Sequence, residues 1–162
     1  MIKIIEKIQI NSDQQKVWSF LSELDYSLSF HRFHSKIILP QKFSVNSNDI
    51  FKIISNYGFD DFETIAQVTE CIVPKLLSIS KRPDNELGKG FKHKICFEII
   101  AQVRGVELLY TTSGTFGNIV QDISFRPILK GVVKEELIKI KNAIESSEKS
   151  FSGLQTNSAI PS

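Results

Sequence analysis

Between Ile2 and Ile10 the chain alternates. Ile2, Ile4, Ile8 and Ile10 share one face, and Lys3, Lys7 and Gln9 the other, which is the period of a half-buried strand. Glu6 sits on the apolar face, and Ile5 interrupts the polar one. Asn11-Ser12-Asp13 then supplies side chains suited to capping a helix, and Val17, Trp18, Leu21 and Leu24 follow at helical spacing. The stretch 25–35 is less regular and gathers Tyr26, Phe30, His31, Phe33 and His34.

Strand-like runs separated by turn signals come next. They cover 36–39, 49–57, 62–73, 75–82, 91–102 and 106–116, broken by Pro40, the polar residues 44–48, Gly58, Pro74, the loop 83–90 and a hairpin near Arg104-Gly105. Six strands in succession without a long helical pattern predict an antiparallel meander rather than βαβ units. The last element is a helix whose stripe holds Ile128, Leu129, Val132, Val133, Leu137, Ile140 and Ile144. Pro127 either starts this helix or kinks one that begins near Asn118. Gly131 lies inside it, at a cost of about 1 kcal/mol relative to Ala, and is expected to make room for a ligand or a closely packed strand. Residues 1–147 read as one domain and 148–162, rich in Ser and polar residues, as a disordered tail.

Composition sharpens this picture. The 162 residues include 23 Ile and 12 Phe against 4 Ala and 1 Met, a bias toward strands and bulky apolar side chains. A net charge of +2 with lysines spread along the chain argues against a dedicated nucleic-acid binder. Cys71 and Cys96 form neither a disulfide framework nor a zinc site by spacing, and both read as buried reduced thiols. The charged N-terminus is neither a signal peptide nor a membrane span. The expectation is a soluble, cytoplasmic protein, monomer or homodimer, with no nucleic-acid partner and no stable membrane insertion.

The element order and the two ends of the chain resemble the START-like (SRPBCC, helix-grip) superfamily, in particular its polyketide cyclase/dehydrase branch. Ile8 to Ser22, with Val17-Trp18 in the helix, is similar to that family's opening strand, turn and helix. Phe125 to Glu145 is similar to its terminal helix. The likeness spans about residues 2–147. The family's frequent Trp-x-Pro after the first helix is replaced by Phe30 to His34, and the usual Gly before the third strand by Ser47-Asn48-Asp49. The resemblance implies an α+β helix-grip fold, with about seven curved antiparallel strands wrapped around a long C-terminal helix. It also implies a cavity between sheet and helix for an apolar, lipid- or polyketide-like molecule. Two other functions are compatible: a metal- and cofactor-free cyclase, aromatase or dehydratase, or an interaction module with a vestigial cavity.

Alternation then selects inward-facing residues. Phe91, His93, Ile95, Phe97 and Ile99 share one face, as do Val106, Leu108, Tyr110 and Thr112. His93 could move protons and Tyr110 could hold a developing oxyanion. The alternatives are a histidine satisfied by backbone and a core aromatic. Glu6 is the third candidate catalytic group, or else a carboxylate near the sheet edge. Trp18, Phe30, His31, His34, Phe91, Ile95, Phe97, Leu108 and Gly131 are the expected ligand-lining residues. His31 and His34, three apart, would face the same way on a helical turn, as part of a gate or of an ordinary amphipathic connection. Neither cysteine nor an obvious acidic partner joins them as a further metal ligand, and no metal or cofactor is expected.

Overall fold

A computed structural model describes residues 1–46, 48–58, 60–85, 87 and 89–157, with side chains through Ser147. The expected order is present. β1 (Ile2–Ile10) is followed by α1 (Gln14–Ser22), a short α2 (Leu24–Ser27) and a 3₁₀ turn (Leu28–Phe30). Six strands follow: β2 (His34–Ile38), β3 (Ile50–Asn56), β4 (Asp61–Ile72), β5 (Leu76–Pro83), β6 (Lys92–Ala101) and β7 (Val106–Thr115). The chain then enters α3 (Ile119–Asn157). The stretch expected to be a disordered tail, 148–162, lies outside the residues with described side chains.

The seven strands form one antiparallel sheet in the order β1-β7-β6-β5-β4-β3-β2. Consecutive strands pair as a meander, and β1 closes onto β7 from Ile2↔Gly114 to Ile10↔Val106. Register shifts at His34/Lys36 and Val68/Glu70 add local bends to the curved sheet. The β6–β7 turn requires Gly105. Its φ is 74°, and a Cβ there would lie 2.2 Å from the Ile10 carbonyl oxygen.

The inward sheet face and α3 form one core. Ile4, Phe51, Ile79, Ile95, Phe97 and Leu108 from the strands join Leu129, Val133, Leu137, Ile140 and Ile144 of the helix. Asp13 caps α1 by accepting a hydrogen bond from the Lys16 N–H at 2.9 Å. The longer of the two readings of the last helix is the one realised. Asn118 caps it, accepting from the N–H groups of Val120 and Gln121 at 2.9 and 3.3 Å, and Pro127 lies inside it. The Pro127 ring removes one helical donor on an exposed face, where the Ile123 carbonyl can meet solvent. Asp122 fastens the start of the helix to the sheet. It accepts from the Thr115 hydroxyl at 2.7 Å and the Phe116 N–H at 2.8 Å, and pairs with the N-terminal ammonium at 3.1 Å.

Three expectations are corrected. Ile128 lies on the exposed side of α3, and its expected place among the inward residues belongs in part to Glu136, which is 1% exposed. Gly131 faces open space: a Cβ built on it would meet nothing within 4 Å, so it makes room for neither a ligand nor a strand. Cys71 and Cys96 are free but half-buried rather than buried. No described helix is long and apolar enough to cross a membrane.

Candidate functional site

Across the middle of the sheet, one row of inward residues reads Ala66, Lys81, His93, Gly114 on β4, β5, β6 and β7. Lys81 is in phase with Leu77 and Ile79, so the alternation of β5 turns its long side chain into the core, where only 3% of it is exposed. The row brackets two large polar side chains with two small residues. At Gly114 a Cβ would lie 2.4 Å from the His93 Cβ, so the absent side chain is what admits the imidazole. His93 Nδ1–H donates to the Phe91 carbonyl at 3.0 Å, and its ring stacks on Phe91 at 4.3 Å. This tautomer leaves the Nε2 lone pair unused by that contact.

The segment after the 3₁₀ turn brings two more imidazoles to the row. His31 and His34 stack at 4.3 Å and 19°. They do so through a turn rather than a helix: His31 is extended at φ −71°, ψ 125°, and the His34 N–H bonds back to the His31 carbonyl at 3.0 Å. His34 Nδ1–H donates to the Leu28 carbonyl at 2.7 Å, which leaves Nε2 as an acceptor. The Lys81 ammonium donates to it at 2.9 Å. His31 Nδ1 accepts from the Phe33 N–H at 3.2 Å and therefore carries its own proton on Nε2. An ion pair between Arg32 and Glu135, at 2.5 Å, ties this segment to α3.

From the helix side, Glu136 completes the cluster. The Tyr110 hydroxyl is the side-chain donor beside its carboxyl oxygens, although no well-aligned hydrogen bond forms, and Lys81 and Lys139 act on it through their charges. Burial pushes the Glu136 carboxyl up to about 8, against the pull of Lys81. Burial likewise brings the Lys81 ammonium down to about 8, opposed by Glu136. Burial thus disfavours the charge on both groups, and their mutual attraction opposes it. The imidazoles respond differently. Burial first, and Lys81 second, lower His93 to about 3 and hold His31 and His34 well below their ordinary value. All three stay neutral at pH 7. Burial and the nearby Glu136 raise Tyr110 well above the ordinary phenol range.

His31, His34, Lys81 and His93 line a cavity of about 10 Å³, which is room for about one water molecule. Its other walls are Phe33, Ser55, Tyr57, Thr64, Phe91, Phe125 and Leu129. Phe125 is the hub of an aromatic plug, with ring centroids 5.1 Å from Phe116, 5.6 Å from Phe91, 5.9 Å from Phe33 and 6.0 Å from Tyr57. Phe33, Tyr57, Phe116 and Phe125 are each half-buried, so the plug also forms part of the surface. A lipid- or polyketide-sized molecule could enter only with movement of these rings. Bulky side chains thus fill most of the space expected to be an open cavity.

The structure brings four of the anticipated residues to this cavity: His31, His34, Phe91 and His93. The others lie elsewhere. Tyr110 is buried behind the cavity wall, stacked on Phe97 at 4.6 Å. Glu6 does face α3, but it meets Lys130 at 3.8 Å. Trp18, Ile95, Phe97 and Leu108 are core residues. Phe30 packs with Phe20 and Tyr26 in a separate aromatic trio. Lys81 and Glu136 were not anticipated, although each occupies a position in phase with an apolar face. Among the described residues no three or more His, Cys, Asp or Glu side chains are grouped to hold a metal ion.

No protein-family model matches the sequence, and a search of curated proteins finds no match. Solved structures do match. A conserved protein from Geobacillus kaustophilus superposes with a TM-score of 0.71 at 15% identity, over 90% of this chain and 97% of that one. The di-domain ARO/CYC protein StfQ from the steffimycin biosynthetic pathway gives 0.71 at 12% identity over 91% of this chain, which spans about half (52%) of StfQ. Norcoclaurine synthase from Thalictrum flavum gives 0.66 at 12% identity, over 88% and 92% of the two chains. At these identities the likeness is one of fold. That shared fold is the α+β helix-grip arrangement: in this chain, a seven-stranded antiparallel sheet closed by β1, a short helix after β1 and a long terminal helix against the inward face.

Proposed function

We propose that this protein binds a small, mainly apolar molecule carrying an oxygen function, with the oxygen at Lys81, His34 and His93 and the apolar body among Phe33, Phe91 and Phe125. The observation that supports this reading is the buried polar cluster itself. An ammonium and a carboxyl group taken out of water lower stability unless fully paired, and apolar residues of similar size would serve a core at least as well. The Tyr110 hydroxyl is the donor beside Glu136, but no well-aligned hydrogen bond reaches its oxygens, so the buried carboxyl is incompletely paired and the arrangement is poor as a purely structural device. Groups with strongly perturbed titration at the wall of a cavity are the usual mark of a binding or catalytic site.

Small size follows from the aromatic plug. The cavity holds about one water, so the ligand's polar atom can occupy that position while its body displaces or intercalates among the rings. Native mass spectrometry of the protein purified from its own host tests the proposal, with thermal shifts measured against small ketones, aldehydes, alcohols and carboxylic acids. A true ligand at 100 times its Kd adds ~2.7 kcal/mol, or roughly 5–10 °C in Tm for a domain of this size. Binding that survives Lys81→Met and His34→Gln unchanged, or no binding by any member of the panel, would reject the site.

The second reading is an acid–base enzyme, favoured by the buried Lys81–Glu136 pair rather than by His93 and Tyr110. A His93 imidazole lowered to about 3 is a weak base, far from the near-neutral value that general catalysis favours. Burial and Glu136 raise the Tyr110 hydroxyl well above the ordinary phenol range, and of the buried Tyr110, Glu136 and Lys81 only Lys81 lines the cavity, with Glu136 acting through it. If the protein is a cyclase or dehydratase, proton transfer would run through Lys81 and Glu136, and the Glu136→Gln protein would lose turnover while retaining ligand.

A further inference from the structure

Among the lysines with described side chains, Lys81 differs in three structural respects. It is almost wholly buried, it lines a cavity, and a neutral imidazole accepts a hydrogen bond from its Nζ at 2.9 Å. The groups facing it are His34 and His31 from the segment before β3, His93 from β6 and Glu136 from α3, with Tyr110 of β7 beyond Glu136. Burial pushes the one acidic group among them, Glu136, toward its neutral form. A neutral carbonyl compound enters this dry site without a charge of its own to desolvate, whereas an anion would have to lose its water. The open volume, about one water, suits a carbonyl oxygen.

We infer that Lys81 is an imine-forming amine, whose Nζ adds to the carbonyl carbon of a small apolar aldehyde or ketone held with its oxygen in the cavity and its carbon body among the aromatic rings, with His34 as the proton carrier. The inference rests on the proposed small-molecule site and names its ligand class. The Lys81 ammonium passes one proton to His34 Nε2 at 2.9 Å; that transfer removes the Lys81 charge that helps to lower His34, and the Nδ1–H···O contact to Leu28 steadies the resulting imidazolium. The freed nitrogen lone pair forms the C–N bond while the C=O π pair moves onto oxygen. An N–H proton then shifts to that oxygen, giving the carbinolamine. His34 returns its proton to the hydroxyl, the C–O bond breaks, water leaves, and the nitrogen lone pair forms C=N. The protonated imine carries the single positive charge that the ammonium carried, so Glu136 faces the same charge at both ends of the sequence. No oxidant or further reactant is needed. Burial, which favours the neutral amine, is the general means by which lysines are made nucleophilic near neutral pH.

The full chain is treated with butanal and sodium cyanoborohydride at pH 7.5, and alkylation is located by peptide mapping. The expected result is one butyl group on Lys81, formed about tenfold or more faster than on exposed lysines such as Lys3 and Lys94. Lys81→Arg should abolish that adduct, and His34→Gln should slow it severalfold. Butan-1-ol, which cannot form an imine, is titrated in parallel while the ring signals of His34 and His93 are followed by NMR. If butanol shifts those signals but butanal labels Lys81 no faster than surface lysines, imine formation is wrong and the binding site stands. If neither molecule acts there, both readings fall. The wild-type peptide map is decisive even if a variant does not fold.

Discussion

Gly114 lies directly opposite His93 in the β6–β7 register, and a Cβ at Gly114 would sit 2.4 Å from that of His93 and 2.3 Å from the Lys92 carbonyl oxygen. The second clash is with backbone, which cannot swing aside. Gly114→Ala should therefore shift β6 or expel the imidazole. The expected cost is about 1–3 kcal/mol, as for other overpacked core sites. Denaturant titration measures the loss, and the His93 ring signals in NMR should move. A variant as stable as the parent, with unmoved His93 signals, would show that the glycine is incidental.

The neutral imidazoles give the protein a specific acid sensitivity. His93 is lowered to about 3 from 6.5 on folding, with His31, His34 and Lys81 nearby and all disfavouring a further charge. The folded state then binds fewer protons than the unfolded chain between these values. Its stabilising share is complete above about 6.5 and is lost as the pH falls toward 3. Stability should thus decline on acidification from neutral pH, and His93→Gln should flatten the slope by roughly 1 kcal/mol per pH unit. Tm measured from pH 7 to pH 4 for both proteins checks this. Parallel curves would mean that His93 does not titrate differently on folding.

Glu136 acts with the opposite sign. Its carboxyl is raised to about 8, so its share of stability is complete below the ordinary carboxyl range and is lost as the pH rises through about 8. Lys81, lowered to about 8 and facing Glu136 and His34, regains stability only as the pH rises above 8 toward 10.5. The two contributions together predict a shallow minimum in stability near pH 8. Glu136→Gln should remove its acidic flank without removing the rise above pH 8. Isothermal urea denaturation between pH 5 and pH 10 resolves the two limbs, and a flat wild-type profile over that range would count against the pair.

The element order was legible because period-two and period-3.6 patterns are long and strong here. Each predicted strand agrees with its observed bounds to within about two residues. The face of β6 was also readable, and with it the inward turn of His93. The cluster was not, for a physical reason. Apolar character marks inward positions, and Lys81 and Glu136 are charged residues on faces otherwise made of Leu77 and Ile79, or of Leu129, Val132, Val133 and Ile140. Phase alone would have marked both. Tyr110 shows the converse error: it does face inward, but facing inward does not place a hydroxyl at a cavity. The His31–His34 contact depends on a turn whose backbone no local periodicity encodes.

The buried pair should oppose stability in order to serve binding. Replacing Lys81 and Glu136 together, as Lys81→Met with Glu136→Leu, removes two desolvated groups and leaves apolar side chains of similar reach. Such exchanges are commonly neutral or stabilising by about 1–4 kcal/mol. The double variant should unfold at equal or higher denaturant concentration than the parent, while losing affinity for any ligand that the parent binds through the cluster. Lys81→Met alone should be less favourable, because it leaves Glu136 buried without its cation, although protonation limits the penalty. A double variant much less stable than the parent would make the pair a structural element, and would remove the main support for a site there.

Phe125 sets access. It contacts four other aromatic rings over the cavity mouth, is itself half-buried, and lies on α3 just before Pro127, where the helical hydrogen-bond ladder is interrupted. Phe125→Ala removes the hub without touching Lys81, His34 or His93. The expected stability loss is about 1–3 kcal/mol, below the ~3–5 kcal/mol typical of a fully buried Phe, because solvent already reaches part of the ring. If the plug gates the site, the association rate of a small ligand should rise severalfold while its dependence on Lys81 is unchanged. Phe125→Trp should slow association instead. Stopped-flow binding to the two variants separates gating from simple destabilisation, since a protein that is merely loosened would bind faster with either substitution.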